Sequence, residues 1–259
     1  MSDIKGWYKA SAGFLFLFMA LPSAAVLLIP NEITKTFYYP LTLLIVTFHE
    51  LGHIILWLLV SPLQLSEKSA LFLICCGGPL MQLFIPAIPI VYFTLVRKKY
   101  ALAFIFLAFF GSSLYYLGGY MSTAAAPSGT GITPTGEIIS IEKNPESHDF
   151  RLIFTQFGVL EHSAEISNFF ISLGYVLTLI GAFSSALETN IILNGNETND
   201  FMLVMLYGSA PAFLLSIVYF QPARFILSFV FFILSLAYFF TSIFPKMKES
   251  FEEVSNEEE

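Results

Sequence analysis

The chain has little charge and almost no cysteine or tryptophan. Of its 259 residues, 12% are charged and 56% are hydrophobic, with two cysteines and two tryptophans. Soluble domains average about 25% charged residues, so this composition argues against an ordinary water-soluble protein. The adjacent Cys75 and Cys76 form no disulfide framework, and we interpret them as packing residues. Basic residues are scattered apart from the triplet at 97–99, which argues against a nucleic-acid partner.

Long apolar runs dominate the sequence instead. A bilayer core about 30 Å thick is crossed by roughly 20 helical residues. The runs of about this length cover residues 12–30, 38–60, 70–96, 100–120, 166–187, 201–220 and 223–244. The sequence therefore predicts an all-α, polytopic membrane protein with six or seven transmembrane helices. We expect an integral, multi-pass protein of the cell membrane, with the lipid bilayer around it. The first run follows Lys5 and Lys9, as a signal peptide would, but it continues past small residues and we interpret it as a retained span.

The largest segment outside the predicted spans follows the fourth span. Residues 136–143 alternate loosely, as a short strand does, and the apolar run 150–160 is too short to cross a bilayer. We therefore predict a re-entrant or interfacial segment near 136–160. Residues 1–248 are predicted to form one transmembrane domain, and the glutamate-rich residues 249–259 a disordered acidic tail.

The second predicted span contains histidine, glutamate, leucine, glycine and histidine at residues 49–53. Glu50 is the only acidic residue within the seven predicted spans, and an ionisable group inside a bilayer is costly enough to indicate a functional site. Residues four apart lie on one face of an α-helix, so His49 and His53 can bind one metal ion. Glu50 can accept a proton from a water molecule at that ion. The motif predicts a Zn²⁺ cofactor with Glu50 as the catalytic base.

A catalytic zinc site needs a third protein ligand. Asp149 is the first choice, because two neutral histidines, one carboxylate and a hydroxide give a zinc site of no net charge, which suits a low dielectric. Its alternative role is to cap a helix that begins near residue 150. His148 is the alternative ligand. A further polar cluster, Glu161, His162 and Glu165, is interpreted as a solvated turn.

The third predicted span contains Gly78 and Pro79, followed by Gln82. The glycine and proline would loosen a helix, and with Pro86 and Pro89 they predict breaks or a kink. Gln82 could donate a hydrogen bond to a substrate carbonyl near the zinc. The alternative is close helix packing through small residues, with Gln82 bonded to a neighbouring helix.

Together, the motif at residues 49–53 and the Gly78-Pro79 pair with Gln82 resemble the site-2 protease family of intramembrane zinc metallopeptidases. The resemblance implies that an aspartate further along the chain is the third ligand, that these three residues position the substrate, and that the substrate is a transmembrane protein. Gln82 replaces the usual asparagine, and Asp149 lies outside the usual Leu-Asp-Gly context, so the chain resembles a divergent member. The expected function is hydrolysis of peptide bonds in membrane-embedded substrates, with Glu50 as general base and then proton donor to the leaving amine.

Three alternative functions remain open from the sequence. The CAAX prenyl proteases also have this motif in a multi-span protein, with a glutamate as third ligand, here Glu161 or Glu165. A non-catalytic membrane binding protein of the same fold would have no need of Glu50. A transporter would be expected to spread its polar residues over several spans, whereas this sequence concentrates them in one. Neither the substrate nor the oligomeric state can be read from the sequence.

Overall fold

In the computed structural model, the described part of the chain contains seven helices that are long and apolar enough to cross a membrane. The structure describes residues 2–126, 130–132, 138–140, 148–194, 196, 200–218 and 221–245. The candidate spans are Gly6–Leu28, Glu32–Leu63, Glu67–Val96, Tyr100–Ser122, Leu160–Leu193, Phe201–Val218 and Pro222–Ile243. They confirm the predicted all-α, polytopic membrane architecture. The predicted acidic tail lies outside the described residues.

The α-helices follow one another along the chain with short irregular turns between some of them. They are α1 (Ser2–Leu15), α2 (Leu21–Leu28), α3 (Glu32–Val60), α4 (Glu67–Val91), α5 (Tyr100–Ser122), α6 (Asp149–Phe157), α7 (Ser163–Leu193), α8 (Phe201–Val218) and α9 (Pro222–Tyr238). Short π-helical turns occupy Phe16–Ala20, Tyr92–Val96 and Phe239–Ile243, and 3-10 turns occupy Ser61–Leu63 and Leu160–His162. Between α5 and α6, strands β1 (Thr130–Ile132) and β2 (Ile138–Ser140) pair antiparallel. Strand β2 lies within the strand predicted at 136–143.

The helix that carries the motif, α3, begins earlier than its apolar run at residue 38. The Thr34 N–H donates to Asn31 Oδ1 at 2.9 Å, and the Asn31 N–H donates to Thr34 Oγ1 at 3.2 Å. This reciprocal capping box satisfies two backbone donors that a helix start leaves unpaired. Hydropathy located the membrane-embedded part of α3, whereas the polar cap sets where the helix starts.

Breaks or a kink were predicted at the prolines of α4, and the structure shows no break there. The helix continues through Pro79, Pro86 and Pro89 to Val91, and the irregular π-helical turn Tyr92–Val96 follows. A proline removes one backbone donor and displaces the carbonyl one turn earlier, and neighbouring helices allow membrane helices to tolerate that loss. The buried Pro79 and Pro86 are held against such neighbours.

Helices α5 and α7 form the centre of the bundle and approach closely through small residues. A Cβ added at Gly111 of α5 would lie 2.8 Å from the Gly174 carbonyl oxygen of α7. The Ser167 hydroxyl donates to the Gly118 carbonyl at 2.7 Å. Close backbone approach of this kind is the usual way in which membrane helices associate. Helix α4 packs between α5 and α3, so the motif helix and the Gly-Pro helix are neighbours.

The described part of α7 extends beyond the predicted fifth span, which ended at residue 187. Glu188 is therefore inside the helix and is 1% exposed. The prediction missed this buried carboxylate because the apolar run ends just before it.

Candidate metal centre

The motif residues on α3 bring three potential ligand atoms together, as their spacing predicts. His49, Glu50 and His53 each offer one such atom, and these atoms lie within 4.8 Å of one another. The two imidazole rings meet edge to face with their centroids 4.9 Å apart. His49 is buried and His53 is half-buried, whereas Glu50 is exposed. The histidines therefore face the bundle, and the glutamate lies at its open side.

Asp149, the first residue of α6, reaches this pair of histidines from outside the spans. Its Oδ2 atom lies 2.9 Å from His49 Nε2 and 3.3 Å from His53 Nε2. In a tetrahedral site with ligand bonds of about 2.0–2.1 Å, neighbouring ligand atoms are roughly 3.3 Å apart. The two observed separations are close to this value, so Asp149 lies at the distance from each histidine that ligands of one ion would have.

The hydrogen bond at His53 Nδ1 fixes the tautomer of that ring. The Nδ1 atom lies 2.8 Å from the Ile74 carbonyl oxygen. A carbonyl only accepts, so Nδ1 carries a proton, and Nε2 is the ring atom that faces Asp149.

Gln82 fixes the tautomer of His49 in the same way. Its Nε2–H donates to the Ser113 carbonyl at 2.9 Å, which orients the amide. The amide oxygen then lies 2.9 Å from His49 Nδ1 and accepts a hydrogen bond from the Nδ1–H group. Since Gln82 is only 2% exposed and uses both amide atoms, its contacts are with two neighbouring helices.

Both imidazoles thus direct Nε2 at one carboxylate oxygen, and each Nε2 either donates a proton of its own to that oxygen or leaves its lone pair for a metal ion. Burial raises the pKa of Asp149, but hydrogen bonding with His49 and then His53 lowers it more and holds it well below its usual range. The carboxyl is therefore ionised. Three electron-rich atoms this close need a cation between them, either protons on both rings or a metal ion. Two imidazole nitrogens and a carboxylate oxygen are a donor set that suits zinc and related metals.

Gly78 of α4 leaves the space in which such an ion would lie. A Cβ at this position would be 2.5 Å from His53 Nε2 and 2.6 Å from His49 Nε2. Any side chain here would therefore displace an ion from the histidines. The neighbouring Pro79 is buried within α4.

His148, the alternative ligand, has both ring nitrogens engaged elsewhere. Its Nδ1 accepts the Arg151 N–H at 3.3 Å, and its Nε2–H donates to Thr123 Oγ1 at 2.9 Å. Burial lowers the pKa of His148, which agrees with a neutral ring that donates once and accepts once. His148 therefore caps α6, the role that the sequence analysis considered for Asp149, and it offers no nitrogen to a metal.

The second polar cluster lies at the surface. Glu161 and Glu165 are exposed, and Glu161 Oε1 lies 3.7 Å from His162 Nε2. Among the described residues, the carboxylates next to the motif histidines are those of Glu50 and Asp149. The glutamate ligand expected of a prenyl-protease-like site is not brought to this centre.

Sequence reasoning missed the residues that support the centre from other helices. Tyr120 of α5 stacks on His148 with centroids 4.2 Å apart, and its hydroxyl lies 3.5 Å from Asp149 Oδ2. Ser113 and Ile74 contribute only backbone carbonyls. A tyrosine near a span end is typical of an interfacial anchor, and backbone acceptors have no sequence signal, so no pattern could have identified these three.

Comparison of the chain with protein-family models, with curated proteins and with solved structures found no match. What the site can do therefore has to be argued from its own residues. These are two imidazole nitrogens and one ionised carboxylate on a common centre, with a second, exposed carboxylate, Glu50, beside them.

Proposed function

We propose that the chain is an intramembrane zinc metalloprotease that cuts transmembrane protein substrates, and a divergent member of the site-2 protease family. The observation that carries the proposal is the convergence of His49, His53 and Asp149 on one centre next to Glu50. The two histidines and Glu50 are on α3, a helix long and apolar enough to cross the membrane. An ionisable cluster at such a place is costly and is retained for function.

The ligands would be His49 Nε2, His53 Nε2 and Asp149 Oδ2, which gives the protein part of the site one negative charge. A zinc ion held there polarises carbonyls and lowers the pKa of water towards ~7. Glu50 accepts the proton of the attacking water and passes it to the leaving amine. Because Glu50 is exposed whereas both histidines are more enclosed, its carboxylate lies on the side from which a substrate arrives.

An apolar substrate fits the surroundings of Glu50. Leu51 and Ile54, which follow Glu50 on α3, are exposed. A hydrophobic segment can cover these side chains, which a polar peptide cannot do favourably. This supports a membrane-embedded substrate, part of whose helix must unwind before its peptide bond can be attacked.

The proposal is tested by a Glu50→Gln variant in liposomes that contain labelled single-span peptides of varied sequence. Cleavage, measured by mass spectrometry, should fall by about 10²-fold or more because the proton acceptor is lost. Bound zinc should be retained. Glu67→Gln, at an exposed position of α4, is the matched control and should cleave normally.

Cleavage that survives unchanged in Glu50→Gln would overturn the proposed mechanism. Stoichiometric zinc in the wild-type protein without cleavage of any peptide would favour the non-catalytic binding protein.

A further inference from the structure

Helix α6 delivers Asp149 to the centre although it is connected to α5 by a long segment. Thr123, at the end of α5, and His148, at the start of α6, are 25 positions apart and in contact. Closing a segment of this length costs conformational entropy. Contacts other than those of Asp149 must offset that cost if the carboxylate is to be in place before an ion binds.

Arg151 supplies one such contact. Its guanidinium Nη1 donates to the Ala124 carbonyl at 3.2 Å and to the Ala125 carbonyl at 3.0 Å. These carbonyls belong to the turn that directly follows α5, which ends at Ser122, where the helix dipole favours a cation. Arg151 thereby ties α6 to the turn at the end of α5.

His148 supplies the second contact and joins the two helix ends. It accepts the Arg151 N–H at the start of α6 and donates to Thr123 Oγ1. The Thr123 hydroxyl in turn donates to the Tyr120 carbonyl at 2.8 Å. This chain of hydrogen bonds links the last turn of α5 to the first turn of α6. The His148 ring also stacks on Tyr120.

The apolar face of α6 completes the docking. Phe150, Ile153 and Phe154 are buried in a cluster that includes Cys75 of α4 and Leu117 of α5. Gly158, with a φ of 68°, then ends the helix in the left-handed conformation. The face of α6 opposite to this cluster is exposed at Thr155 and Gln156.

We propose that Arg151 and His148 form a clamp that holds α6 on the end of α5 and so positions Asp149 beside the two motif histidines. Both are positioning residues, since neither touches the centre itself. The docking stands on the contacts above, whereas its effect on metal affinity rests on the proposed function.

The test uses the full chain in detergent, with Arg151→Met and Thr123→Val as variants. Hydrogen exchange of the amides in residues 149–157 should become about tenfold faster in each, with α5 and α7 unchanged, because only α6 is released. Zinc affinity, measured by competition with a chelator, should fall roughly 10–100-fold, as for other groups that orient a ligand. Arg151→Lys, which keeps the positive charge, should restore part of the slow hydrogen exchange and part of the zinc affinity.

The matched controls are Arg97→Met and Thr36→Val, which change exposed residues elsewhere. In an Asp149→Ala background, where zinc is lost, Arg151→Met should still speed hydrogen exchange in α6, which separates the docking of the helix from metal binding. Wild-type exchange and wild-type zinc affinity in both variants would overturn the clamp. If the wild-type protein binds no zinc, the proposed function fails, and the exchange measurement alone decides the clamp.

Discussion

Gly78 is the residue whose size determines whether an ion fits at the centre. Because its Cβ would lie within 2.6 Å of both Nε2 atoms, Gly78→Ala should abolish zinc binding or weaken it by at least about 100-fold. Chelator competition measures this. The control is Gly119→Ala, where a Cβ meets nothing within 4 Å. Unaltered affinity in Gly78→Ala would contradict the position assigned to the ion.

Gln82 acts on His49 through a hydrogen bond, which gives a second prediction at this scale. Gln82→Met keeps the size of the side chain but removes the acceptor of the Nδ1 proton, so the ring is no longer held in one tautomer. Zinc affinity should fall about 10–100-fold while the fold persists. Gln156→Met, at an exposed position, should leave affinity unchanged. If both variants bind zinc equally well, Gln82 does not orient His49.

The grouping of His49, Glu50 and His53 was predictable because four residues span one helical turn. Asp149 was favoured only by its charge and by the family resemblance, since a partner 100 positions away has no local pattern. The bonds of Gln82 to His49 and Ser113 depend on how three helices pack, which the sequence does not specify. His148 as the cap of α6 was also missed, because aspartate is the more common capping residue.

At the scale of elements, the crossing of α3 and α4 holds the motif against Gly78. A Cβ on Gly52 would clash with the Gly77 carbonyl oxygen. Gly52→Ala should therefore separate the helices and destabilise the protein by roughly 1–3 kcal/mol. The midpoint of thermal unfolding in detergent measures this. Gly13→Ala, at an open position of α1, should not lower it. Equal midpoints would mean that the two helices do not need this close contact.

Hydropathy was sufficient to predict the spanning helices but not where each one ends. α3 starts at the cap formed by Asn31, and α7 continues to Leu193 past the charged Glu188. A charge ends an apolar run without ending a helix, since a buried carboxylate can be accommodated by neighbouring helices. The prolines of α4 did not end the helix either. It continues past Pro89 to Val91, and an irregular turn follows.

At the scale of the whole molecule, the centre lies where four elements meet. Helix α3 provides the histidines, α4 provides Gly78 and Gln82, α5 provides the Ser113 carbonyl and Tyr120, and α6 provides Asp149. Three of these helices are candidate spans, and the fourth is docked on their ends. The arrangement places the proposed metal site inside the bundle with one open side at Glu50. Because the centre is assembled from distant segments, the sequence indicated which residue types to expect there but not how they are arranged.

The most direct test of this account is the metal content of the purified protein after loading with zinc and removal of the excess. We expect about one zinc per chain in the wild type and in His162→Ala, whose ring is exposed. Zinc should be lost in His49→Ala, His53→Ala and Asp149→Ala. A wild-type chain without stoichiometric metal, or an Asp149→Ala chain that retains all of it, would contradict the proposed centre.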